Sequence, residues 1–64
     1  MLWLSEVMLQ NHDISSFAQL AQKVRERAKA GEMHFRMDVK PPYGDTPEDW
    51  EDQLEAAFSG RIDE

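Results

Sequence analysis

The chain has no cysteine, only three glycines, three prolines and two histidines in 64 residues. Without thiols there is no disulfide to staple the fold and no thiolate zinc site. A domain near 60 residues buries only about 60% of its unfolded surface, so what remains to stabilise it is close helix packing, self-association or a partner. The glycines are dispersed at Gly31, Gly44 and Gly60, which excludes a phosphate-cradling loop. Long apolar runs are missing as well. Met1-Leu2-Trp3-Leu4 is followed at once by Ser5-Glu6 and has no basic lead, matching neither a secretory leader nor a span of about 20 residues. The expectation is a cytoplasmic protein with no membrane association.

Basic residues are scarce at one end. Residues 1–40 carry six Lys/Arg against five Asp/Glu, a net of +1, whereas residues 41–64 carry Arg61 alone against eight acids, a net of −7. A formal charge of −6 opposes non-specific attraction to nucleic acid or to an anionic membrane. Acidity gathered into one third of a small protein points to a basic counterpart.

Punctuation at Asn11-His12-Asp13, at Gly31 and at Pro41-Pro42-Tyr43-Gly44 divides a single small domain, 1–64, into four elements. Residues 2–10 hold Leu2, Trp3, Leu4, Val7, Met8 and Leu9, apolar all round a helix and on both faces of a strand. That composition predicts a segment buried on more than one side, helical by residue type. Ser16-Phe17-Ala18-Gln19 matches a capping box, and Phe17, Leu20, Ala21, Val24 and Ala28 recur on one helical face, so a helix is predicted over 16–30 with Gly31 as its stop. Lys23, Arg25, Arg27 and Lys29 suit its C-terminal turns. Met33, Phe35, Met37 and Val39 alternate with His34, Arg36, Asp38 and Lys40, predicting a strand over 33–39 that Pro41 and Pro42 end. Thr46 as N-cap, Pro47 at the first helical position and the stripe Trp50, Leu54, Ala57, Phe58 predict an acidic helix over 47–58, delivered by the turn at 41–44 and stopped by Gly60.

The fold class expected is therefore small, mostly helical α+β. A single strand would leave its backbone groups without a ladder. Antiparallel pairing of Met33, Phe35, Met37 and Val39 with the same residues of a second copy is the preferred solution, giving a symmetric dimer. The alternatives are pairing with a strand of a different protein, and a βαβα order with a first strand at residues 2–9.

Candidate chemistry is sparse. Neither His12 nor His34 has a second ligand at metal spacing or a nucleophile motif beside it. Glu48, Asp52 and Glu55 share a helical face, without the glycine and ligand register of a calcium loop. No cofactor, metal or catalytic residue is expected. Four methionines are compatible with an adaptable contact surface or with gap filling.

The expected activity is that of a small non-enzymatic regulator that binds another protein. Its acidic helix would dock on a basic surface, such as that of a nucleic-acid-handling enzyme, through Glu48, Asp49, Trp50, Glu51, Asp52, Leu54, Glu55 and Phe58. In size and charge layout the chain resembles two groups of small bacterial or phage proteins: antitoxins with a dimerising part and an acidic toxin-neutralising tail, and phage-encoded inhibitors of host nucleic-acid enzymes. The resemblance implies binding and inhibition, and it carries over no site residue. Two rival readings are a dimeric DNA-binding regulator that reads DNA with His34, Arg36 and Lys40, and a structural subunit held in a larger assembly by residues 1–9.

Overall fold

The computed structural model describes residues 1–60, which form a small α+β fold of three helices and a two-stranded parallel sheet. In chain order these are β1 (Leu2–Trp3), α1 (Leu4–Gln10), α2 (Phe17–Lys29), β2 (Phe35–Arg36) and α3 (Trp50–Ser59). The segment 2–10 divides: two residues pair as a strand, and the chain then turns directly into a helix with Trp3 as N-cap. Its burial is one-sided, since Leu2, Leu4 and Val7 are buried while Trp3 is 40% and Leu9 68% exposed. The expectation of burial on several sides fails because no described residue covers Trp3 and Leu9 on the outer faces of β1 and α1.

β2 lies beside β1 in parallel, with Leu2 opposite Phe35 and Trp3 opposite Arg36. The strand therefore finds a ladder within its own chain, and the premise that led to a second copy does not hold. The ladder is much shorter than residues 33–39 because β1 supplies only two residues. Beyond it, Asp38 is drawn to the start of α1. Phe35 and Met37 pack on the core, but Met33 stays 68% and Val39 39% exposed, so only the middle of the apolar alternation is covered.

α2 follows its sequence pattern closely. Phe17, Leu20, Val24 and Ala28 are buried in a row, and Ser16 Oγ accepts the Gln19 N–H at 3.2 Å. The return half of the capping box is displaced by one residue, with Gln19 Oε1 accepting the Ser15 N–H at 2.6 Å. At the other end Gly31, at φ 118°, lets its own N–H reach the Ala28 carbonyl and the Glu32 N–H reach that of Arg27, the paired bonds of a Schellman stop. The side chains of Arg27 and Glu32, which sit where an apolar contact commonly seals this motif, form an ion pair at 3.4 Å instead. Arg27 also donates to Gln10 Oε1 at 2.7 Å, joining the ends of α1 and α2.

α3 starts three residues later than its sequence signature suggests. Thr46 uses its N–H on the Tyr43 carbonyl and its hydroxyl on the Pro41 carbonyl, so it completes a turn and caps no helix. Asp49 becomes the N-cap and Pro47 lies outside the helix. Leu54, Ala57 and Phe58 are buried against α2, and Trp50 is half-buried on the same core. Gly60 caps α3 with right-handed backbone angles, and what it allows is close approach: a Cβ there would stand 2.7 Å from the Arg25 guanidinium. Residues 61–64 lie outside the described residues.

Candidate functional site

Most of the described carboxylates fall into two sets; Glu6, which accepts from Gln10, and the exposed Asp13 stand outside them. In the first, each acid is engaged within the fold: Glu26 pairs with Lys23 at 3.6 Å, Glu32 with Arg27 and with the Met1 amino group, and Asp38 accepts from Ser5. Asp45 accepts the backbone N–H of Phe17 at 2.8 Å, filling a donor that the first turn of α2 leaves open. In the second set, Glu48, Glu51, Asp52 and Glu55 are all exposed, and none has an ion pair or hydrogen bond to any described residue. Asp49 takes only the local side-chain amide of Gln53, at 2.9 Å. The outward side of α3 and its approach thus form a field of negative charge that no described residue neutralises.

The apolar residues assigned to docking behave otherwise. Leu54 and Phe58 are buried in the chain's own core and Trp50 is half-buried there. They hold α3 in place and display its carboxylates. The Phe58 ring stacks on Phe35 with centroids 5.3 Å apart and planes 20° from parallel.

That stack forms the floor of a groove of about 220 Å³ between the β2 segment and α3. Met33, Phe35 and Met37 line it from the strand side, and Glu55, Phe58 and Ser59 from the helix side. Self-association residues and acidic-helix residues, assigned to separate surfaces in the sequence, meet in one place. Sequence reasoning missed this groove because it requires knowing that α3 returns alongside β2, which no local pattern encodes.

The basic residues are less available than their number suggests. Lys23 and Arg27 are paired with Glu26 and Glu32. His34, Arg36 and Lys40 are exposed, with His34 at the groove and Arg36 beside Trp3 in the ladder. Asp38, on the same stretch, is held below its ordinary value of 3.8 by the hydrogen bond from the Ser5 hydroxyl and then by that from the Ser5 N–H, so it stays an anion among these cations. Burial raises the Tyr43 phenol.

Among the described residues no group of three His, Asp or Glu side chains is placed to hold a metal ion, and no helix is long and apolar enough to cross a membrane. No family model, no curated protein and no solved structure matches the chain.

Proposed function

We propose that this protein is a small protein-binding regulator whose acidic α3 face docks on a basic surface of its partner. One observation carries the reading: Glu51, Asp52 and Glu55 on α3, with Glu48 just before its N-cap, are exposed and paired with no described residue, while the other side of the helix is anchored in the core. Acids placed for solubility alone could be scattered, whereas Glu26, Glu32, Asp38 and Asp45 are each engaged within the fold. Such a field steers association and excludes partners of like charge, while apolar contact at its edge sets how long the complex lasts. Enzymes that handle nucleic acid carry basic surfaces of the required kind, and occupying one would inhibit by occlusion. The basic stretch from Lys23 to Lys40 gives weaker support to a DNA-reading role, because its charges are partly consumed inside the chain.

The experiment is affinity capture from the source cells with the wild-type chain and with Glu48→Lys/Asp52→Lys/Glu55→Lys, followed by mass spectrometry. A basic protein retained by the wild type and lost by the variant, with matching circular dichroism for the two chains, is the expected result. Equal retention by both chains would remove the acidic face from the mechanism.

A further inference from the structure

We propose that the groove between β2 and α3 receives an extended peptide segment of the partner, added as a strand along the unpaired edge of β2. An apolar side chain of the segment would lie over Phe35 and Phe58, and a lysine or arginine two positions away would meet Glu55. The inference deepens the acidic-docking reading and rests on it for the sign of the partner's charge.

The backbone geometry supplies the acceptor. Leu2 donates its N–H to the His34 carbonyl at 2.8 Å, and the register sets Leu2 against Phe35 and Trp3 against Arg36. In a parallel ladder, alternate residues turn both backbone groups to the same neighbour. His34 and Arg36 face β1, so Phe35 turns its N–H and C=O to the opposite edge. The groove runs between this segment and α3, bordered by Phe35 and its neighbours His34, Met33 and Met37. A strand laid there in antiparallel orientation exchanges both bonds with Phe35, and its alternate side chains point into the space above Phe58.

The side chains define what fits. Met33, 68% exposed, and the half-buried Phe35 and Met37 present adaptable apolar surface, which takes a branched or unbranched aliphatic residue equally well. Glu55 stands on the same groove, one helical turn before Phe58 and Ser59, and pairs with no cation among the described residues. A second copy of the chain would bring another −6 of charge and another α3 to this wall. A basic, alternating segment brings the opposite sign. Charge complementarity therefore selects a foreign strand over self-pairing.

The probe is the blocked heptapeptide Thr-Lys-Thr-Leu-Thr-Lys-Thr, in which leucine and both lysines share one face and either chain direction offers a lysine to Glu55. Titration into the 15N-labelled full chain is followed by amide shifts. Saturable movement of the Phe35 amide is expected. Weakening of about tenfold or more is expected when glutamates replace the lysines, and again when the leucine nitrogen is methylated. Glu55→Lys should reverse the preference between the lysine and glutamate peptides, its own spectrum reporting that the fold is intact.

An unmoved Phe35 amide, or binding indifferent to N-methylation, overturns strand addition. Movement of the Phe35 amide on concentrating the protein alone, with sedimentation of a dimer, would make a second copy the occupant and overturn the peptide proposal. If the peptide fails while the triple charge reversal still loses its captured partner, the docking reading stands and this inference alone falls. If the peptide binds as described while capture is unaffected by charge reversal, the reverse holds.

Discussion

Asp38 holds both the backbone N–H and the hydroxyl of Ser5, at 3.1 and 2.6 Å, across 33 residues of chain. Ser5 lies in the first turn of α1, whose N-cap Trp3 has no oxygen to offer, so the cap is delivered through space by the segment after β2. Seven residues further on, Asp45 does the same for the first turn of α2. One connection closes the starts of two helices.

Acid should undo the first of these contacts selectively. The Asp38 carboxyl titrates below 3.8 in the folded chain, so its contribution is complete above the unfolded value and disappears as the pH falls through the lower, folded one. Thermal melts of Asp38→Asn are expected to lie below wild type at neutral pH and to converge with it as the pH drops beneath 3.8. Ser5→Ala should reproduce the convergence. Parallel curves at all pH values would show that the contact is absent in solution.

Asp45 and Asp52 are both exposed acids close together in sequence, and they should respond differently to the same substitution. Removing the Asp45 carboxylate leaves the Phe17 N–H without its partner, and Asp45→Ala is expected to lower stability by about 1 kcal/mol. Asp52→Ala touches no described partner and should stay within about 0.5 kcal/mol of wild type. Urea unfolding of the two variants makes the comparison.

Gly31 and Gly44 offer a similar contrast. Neither has an atom within 4 Å of where a Cβ would stand, yet only Gly31 has a left-handed φ, 118°. Gly31→Ala is therefore expected to cost about 1 kcal/mol or more through backbone strain, and Gly44→Ala nearly nothing. Equal melting temperatures for the two variants would contradict the Schellman stop.

Leu54 is wholly buried, and Leu54→Ala should destabilise by about 2–5 kcal/mol, enough to threaten folding of so small a domain. Met33→Ala, at an exposed position on the groove, should leave the melt unchanged within about 0.5 kcal/mol. Loss of stability in the Met33 variant would place that side chain in a core and not on an open surface.

The helix α2 and the stripe on α3 were legible because burial at helical spacing is a local property: Phe17, Leu20, Val24 and Ala28, then Leu54, Ala57 and Phe58, fall where periodicity places them. The order of elements was legible too, except that Leu2 and Trp3 take strand geometry where residue type favours a helix. That choice belongs to the ladder with Phe35 and Arg36, and tertiary pairing overrides propensity there. The start of α3 was misplaced because the hydroxyl of Thr46 had a competing acceptor in Pro41, invisible in a linear pattern. For the candidate site, the negative field could be read from composition. Separating the acids that bond within the fold from those that do not could not, since Asp38 and Asp45 differ from Asp52 only in what lies across the fold from them.

Because the stretch between β2 and α3 fastens the beginnings of both earlier helices, a growing chain can close the start of α1 only once residue 38 is made and that of α2 only once residue 45 is made. Losing this connection should therefore loosen the starts of both helices together and not one end of the molecule alone.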